Sequence, residues 1–553
     1  MDMIPFPCSL SIDCGSSGLF TEGSIKWIGD NDLIQNGESI VVVNATSGVP
    51  QAMTTLRVFT TRNKNCYSIE EAGKGTRFLL RASFYYGNYD NKASPPIFDL
   101  QFDGNHWVTV TTSMDTTVIY EAIYVAKGDT ISVCVAQTYS DMFPFISALE
   151  VRTLTPTMYS EVDTNYGLIL RRRIAFGTKE IVKYPEDNYD RIWFPATNSG
   201  IFTEATSDAT TITNNLDDDP PSQVVRNAFI APNTSTAIVL RSNLPLNIEV
   251  PIYMNMYFSE VVKLDSTEER SFEFYIDDVV VSDPIVPPYG KVIQRYLKNF
   301  SASSNTSFSL GATSNSTLPP LINALEVFTI TDELTDGTSA DDVEALHELQ
   351  KKFDTLQGWR GDPCLPSPFT WDWLNCSTDA TPRVIALHLS GYDLSGSLPD
   401  FSSMDALEAI DLHNNSLNGS IPDFLGTLPK LKTLNLANND FSGAVPSSLS
   451  KNTNLKLIVT GNMDLCTSDK SCKTTDTNTN TNTNTNTATD SDSGSSSNDS
   501  PSKTKKKKKS NKLPIILGPS AAALVMFFVV LGSLAKLHQK RKSAAVAAAA
   551  TTG

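Results

Sequence analysis

Residues 387–399, LHLSGYDLSGSLP, return as IDLHNNSLNGSIP at 410–422 and as LNLANNDFSGAVP at 434–446. Val384, Leu407, Leu431 and Leu455 open successive copies at steps of 23, 24 and 24 residues. Such a period describes a solenoid, in which each copy forms one coil and only stacking covers its inward leucines. Asn415 and Asn439 recur where the chain must turn, and their amides can bond backbone groups there. Tyr392 takes that place in the first copy, and the fourth, LKLIVTGNMDLC at 455–466, departs from the pattern. Irregular ends are expected, because a terminal coil has no neighbour.

A short solenoid needs lids. The stretch GWRGDPCLPSPFTWDWLNC at 358–376 supplies one: Trp359, Trp371 and Trp373 cover the first coil and a Cys364–Cys376 bond locks them. Cys466 and Cys472 would close the far end. The tripeptide Arg360–Gly361–Asp362 belongs to this cap and is read as incidental to adhesion. Just upstream, SADDVEALHELQKKFDTLQ places Val343, Leu346, Leu349, Phe353 and Leu356 on one helical stripe, with Ser339 or Asp341 able to cap its start.

Further upstream the chain is duplicated. PFISALEVRTL at 144–154 returns as PLINALEVFTI at 320–330, and FDLQFDG at 98–104 returns in outline as FEFYIDD at 272–278. Each unit holds short alternating runs separated by Gly, Asn, Asp and Pro, the pattern of one β-sandwich per unit. Cys66 and Cys134 are placed to staple strands of the first unit, although spacing leaves the pairing with Cys8 and Cys14 open.

The chain has 553 residues, too many for one core. Residues 503–542 hold eleven of the 44 basic side chains and no acid. The part before residue 503 therefore carries 33 basic and 61 acidic groups, a net of −28, which argues against nucleic acid and favours cationic partners. Nine N-x-S/T sequons, at Asn44, Asn233, Asn299, Asn305, Asn315, Asn375, Asn414, Asn418 and Asn498, together with eight cysteines lacking metal-ligand spacing, indicate an oxidising secretory environment. LPIILGPSAAALVMFFVVLGSLA at 513–535 is uncharged and long enough to span a bilayer. More lysines flank its N-terminal side than its C-terminal side. Long domains translocate regardless of local charge, so the preceding part is still placed outside. That placement needs an export signal, and MDMIPFPCSL at 1–10 does not read as one.

The combination resembles plant malectin-like/leucine-rich-repeat receptors. SIDCGSSG at 11–18, LRVFTTRNKNCYSI at 56–69, FLLRASFYYGNYD at 78–90 and ISALEV at 146–151 carry the malectin-like likeness, and GWRGDPCLP followed by the repeats carries the rest. The chain looks most like the members without a kinase. The expected fold is mixed and mainly β. It comprises malectin-like lobes over 8–154 and 165–331, a helix and Cys-capped junction over 339–376, and leucine-rich repeats over 384–472. A stalk and basic flank over 473–512, the span over 513–535 and a short cytoplasmic tail over 536–553 complete it. The resemblance implies a single-pass plasma-membrane protein that binds an extracellular peptide or a partner receptor kinase and signals only through a kinase-bearing partner.

The alternative is a lectin for cell-wall oligosaccharide. Tyr85, Tyr86, Tyr89 and Asp90 have the residue types for it, aromatic faces to stack on sugar C–H groups and a carboxylate for hydroxyls. Tyr257, Phe258 and Glu260 are the counterparts in the second lobe. A glycoside hydrolase is the remote alternative, since two carboxylates suffice for that chemistry. The densest acidic run, Asp217 to Asp219, reads as a surface loop. Five histidines, no nucleophile motif and no phosphate loop argue against an enzyme or a cofactor. His388 and His413 are assigned to matching outward positions of adjacent coils.

Overall fold

Alternation places Leu80 and Phe84 on one face of the strand Arg77–Phe84 and Arg81 on the other, and in the structure all eight residues are buried. The computed structural model describes residues 9–43, 45–70 and 72–466, which fall within one compact unit. The fold is mainly β, two sandwich lobes followed by a β-solenoid.

The expected one sandwich per lobe is modified in an informative way: both lobes contribute to a single eleven-stranded sheet. Its middle runs Ala148–Leu154, Arg77–Phe84, Val118–Val125, Leu168–Ala175, Ala324–Ile330, Val250–Phe258, and its edge is Ile293–Ala302. The lobes meet between the third and fourth of these, where Ala122 pairs with Ile169 and Ile123 with Leu168. In the first lobe, Phe78, Leu80, Ala82 and Phe84 join the core with Phe98, Leu100 and Val133 from the opposing strands. In the second, Ile252, Met254 and Leu325 meet Phe272, Phe274 and Leu310.

The opposite face of the shared sheet is also buried, and it is ionic. Across the strands stand Glu150, Arg81, Glu121, Arg173 and Glu326, ending on Asn255. Arg81 Nε is 2.8 Å from Glu121, and Arg173 Nε is 2.7 Å from Glu326. Arg173 also pairs with Glu121, so one guanidinium ties the first lobe to the second. Asp190 binds Arg81 and Arg152 from above, at 3.1 and 2.8 Å. Tyr159 and Tyr257 donate to Glu326, each at 2.9 Å. Burial this complete is tolerable for charges because each has an opposite charge and hydrogen bonds within reach.

The helix Ala340–Lys352 buries Ala345, Leu346 and Leu349 against the cap and first coil. Neither proposed side-chain cap forms. Ser339 is the N-cap residue but makes no capping bond, and Asp342 instead accepts from the Val384 amide at 2.7 Å and from Arg383. The solenoid sheet runs Leu374–Cys376, Val384–His388, Ala409–Asp411, Thr433–Asn435, Lys456–Ile458, parallel after the first pair. Asn415 donates to the Leu389 and Leu412 carbonyls and accepts the Leu394 amide. Asn439 and Asn462 repeat that role one and two coils on. The fourth copy thus keeps its asparagine. The histidine assignment is corrected: His388 registers with Asp411, and His413 lies beyond it with Nδ1 2.6 Å from the Asp411 carboxylate.

Two disulfides are present among the described residues, Cys66–Cys134 and Cys364–Cys376. Cys14 is free and buried, and Cys466 is disulfide-bonded. Cys8 and Cys472 lie outside the described residues, as do the stalk, the span at 513–535 and the tail. Among the described residues no helix is long and apolar enough to cross a membrane.

Candidate ligand cleft at the module junction

The strands Lys64–Ile69 and Ile131–Ala136 send Tyr67, Ile69, Ile131 and Val133 into the core of the first lobe. Alternation turns Lys64, Cys66, Ser132 and Cys134 the other way. That outward face meets the cap. Lys64 Nζ donates to the carbonyls of Asp362 and Leu365 at 2.6 and 2.9 Å. Burial pushes its ammonium down to about 8, against the opposing pull of Asp362 and Asp372. Arg62 donates to the Gly358 carbonyl and lies 4.1 Å from the centre of the Trp359 ring. Gly361 rests directly on the Cys66–Cys134 bond. Its φ is +73°, and a methyl group there would stand 2.5 Å from Cys66 Sγ. Only glycine fits both demands.

The incidental reading of Arg360–Gly361–Asp362 agrees with this geometry. Asp362 accepts from the amides of Thr338, Cys364 and Leu365, so its carboxylate is consumed in shaping the loop. Trp359, Trp371 and Trp373 are buried at 6, 4 and 0% exposure, and their rings touch one another. They belong to the same apolar core as the helix and the first coil. The sequence assigned them to a lid, and a lid is where they stand.

Beside this contact the modules leave a cleft of about 540 Å³. One wall is the end of the first lobe, with Ser68, Glu70, Thr130 and Ser132; the other is the helix, with Val343, Glu344 and His347. Trp359 and Trp371 form part of the lining, and Lys127 and Asp336 form an ion pair at the rim, 2.8 Å apart. That bond to Lys127 holds the Asp336 carboxyl below its usual range. Glu70 and Glu344 are exposed and take no part in an ion pair among the described residues. Asp103 also lines the cleft, accepting from Ser132 and Tyr124, and burial raises it to about 6. None of the sequon asparagines lines this cleft. Sequence reasoning missed it, because its walls come from segments about 200 residues apart.

The residues assigned to sugar stacking lie elsewhere and are mostly covered. Tyr85 and Tyr86 are 1% and 0% exposed. Tyr86 packs on Phe145 and donates to Asp90 at 2.5 Å, and the Tyr85 hydroxyl accepts the Thr46 amide. Tyr89 is half-buried against Tyr86 and Phe145. The proposed platform is therefore not open: two of its three rings are core, and Asp90 holds one of them in place. Tyr257, Phe258 and Glu260 are buried likewise. The acidic run is corrected too, since Asp218 is buried under Tyr159, Asn255 and Gln294. The described sequon asparagines, 233, 299, 305, 315, 375, 414 and 418, are all exposed; Asn44 and Asn498 lie outside the described residues.

Two sandwiches sharing a sheet, capped onto a leucine-rich solenoid, make the ectodomain architecture of a receptor-like protein. The comparisons agree. The Malectin-like domain family matches residues 12–330 and the Leucine Rich Repeat family matches 406–428 and 430–452, so the chain belongs to the malectin-like family and carries leucine-rich repeats. An uncharacterized Arabidopsis thaliana protein, At1g24485, is 39% identical over 332 residues, 59% of this chain and 65% of that one. A putative leucine-rich repeat receptor-like protein kinase of the same plant, At2g19210, is 35% identical over 417 residues, 73% of this chain and 47% of its own length. The chain thus spans about half the length of the curated receptor kinases it matches. Among solved structures, Arabidopsis ANX2 ectodomain superposes with a TM-score of 0.52 at 16% identity, covering 59% of this chain and 97% of that one. A chain of the crystal structure of plant peptide RALF23 in complex with FER and LLG2 gives 0.51 at 16%, covering 59% of this chain and 96% of that one.

Proposed function

We propose that this protein is a cell-surface receptor-like protein whose ectodomain holds an extracellular peptide or a partner receptor, and that the junction cleft seats part of that ligand. The cleft carries the proposal. It is concave, has tryptophan in its lining, is free of sequon asparagines, and presents Glu70 and Glu344 in a strongly acidic chain. A peptide with an apolar side chain next to a basic one fits those features. The naming of FER with the peptide RALF23 and LLG2 lends support by analogy, as do the kinase-bearing relatives. Signal transfer then belongs to a kinase-bearing partner at the plasma membrane.

The test is site-specific photocrosslinking. A crosslinker at His347, exposed on the helix wall, is expected to capture an extracellular peptide or receptor, and one at Lys451 is not. Glu344→Lys should weaken capture at least tenfold, and raised salt should weaken it further. Equal capture from both positions, or indifference to Glu344→Lys, overturns the assignment.

A further inference from the structure

The shared sheet ends in its most exposed long strand. Ile293–Ala302 has ten residues, about 33 Å of edge, and pairs with a neighbour on one side only. Unpaired strand edges recruit other strands, and proteins blunt them with charge, bulges or cover. The charge here is partly spent: Arg295 is exposed and donates only to the Gln294 carbonyl, leaving one cation without an ion pair among the described residues. Lys298 Nζ already sits 2.6 Å from Glu161, and Tyr296 adds an aromatic ring 45% exposed. The bulge remains. Ile252 faces Phe300 and Met254 faces Leu297, which leaves Lys298 and Asn299 opposite Tyr253 alone.

At that bulge Asn299 takes φ +58° and is exposed, and its side chain makes no hydrogen bond among the described residues. The nearby sequon residue Asn305 differs, donating from Nδ2 to Asn247. Asn299, Phe300 and Ser301 form a sequon. We infer that Asn299 carries an N-linked oligosaccharide that serves as the cover of this edge, keeping a second copy of the chain from pairing with it. In the modification Asn299 Nδ2 bonds to the anomeric carbon of an oligosaccharide on a lipid pyrophosphate. The sugar–oxygen bond breaks, the lipid pyrophosphate leaves, and the amide gives up one proton. The inference requires passage through the secretory pathway and is independent of the cleft.

The test uses the full chain produced in a eukaryotic secretory host. Glycopeptide mass spectrometry should find Asn299 largely occupied. Ser301→Ala removes the sequon while leaving Asn299 to hold the bulge; by light scattering it should at least double the particle mass at about 50 µM. Ser301→Lys also removes the sequon but adds a cation to the edge in addition to Arg295, and it should stay at the wild-type mass. Ser235→Ala, which removes the Asn233 sequon, should stay there too. An unoccupied Asn299, an unchanged mass for Ser301→Ala, or association of Ser235→Ala to the same degree would each overturn the inference. A thermal melt of each variant separates edge pairing from misfolding, and Ser301→Lys keeps the outcome decisive if Ser301→Ala folds poorly.

Discussion

Replacing Arg173 by methionine keeps most of its volume and removes its charge. Its guanidinium is wholly buried and bridges Glu121 of the first lobe to Glu326 of the second. After the change Glu121 retains Arg81, whereas Glu326 retains the hydroxyls of Tyr159 and Tyr257. Breaking a buried pair from one side costs about 3–5 kcal/mol, chiefly through the charge left behind. Burial opposes ionisation of Glu121, but Arg173 and Arg81 outweigh it and hold its carboxyl below the usual range. A depressed acid contributes stability above its unfolded value, and that contribution is lost as pH falls through the folded value. The deficit of Arg173→Met should therefore be full at pH 7, persist down to the ordinary glutamate value of about 4.5, and shrink only below it. Guanidinium titration followed by tryptophan fluorescence measures it, and Trp193, 5.6 Å from the guanidinium, is a local reporter. Adding Glu326→Gln should recover part of the loss. A deficit below about 1 kcal/mol at pH 7, or one that has already vanished by about pH 5.5, refutes the view that the seam is held ionically.

Three further outcomes are expected. Asp103, raised by burial to about 6, binds a proton in the folded state between roughly pH 4 and 6 where the unfolded chain has lost it, so its contribution falls as pH rises through that window; Asp103→Asn should remove about 3 kcal/mol of that decline in denaturation curves at stepped pH. Gly361→Ala forces a methyl group onto the Cys66–Cys134 bond at positive φ, and should cost about 2 kcal/mol or more in chemical denaturation, with faster proteolysis at the junction. Asn439→Ala leaves the Leu417 amide without its acceptor and takes one of two asparagine donors from each of the Leu412 and Leu436 carbonyls, and should cost about 1–3 kcal/mol, read as faster amide exchange in the repeats; Asn415→Ala, at a half-buried site, should cost less.

The solenoid was legible because stacking imposes a fixed spacing, and Leu387, Leu412 and Asn439 can be placed from it alone. The cap was legible because three tryptophans and two cysteines beside a repeat start have few other uses. Alternation misled elsewhere. In RFLLRASF it sets Arg81 on the face away from Leu80 and Phe84, the face that an antiparallel sheet commonly leaves to solvent. The shared sheet buries both faces, and the partners that allow it for Arg81 (Glu121, Glu150 and Asp190) lie 40, 69 and 109 residues away. Tyr85 and Tyr86 failed as a sugar platform for a related reason: sequence gives residue type but not which face is roofed. The cleft was invisible because helix and lobe meet only in three dimensions.

A seam with two backbone pairs and a row of locked charges leaves the lobes no freedom to swing apart like jaws. A ligand of the proposed kind that docked on one lobe would find the other already at a set bearing, and would be selected by fit to a fixed outline rather than by closure around it. Through Gly361 and Lys64 the same locking reaches the solenoid, so lobes and repeats stand at one fixed bearing.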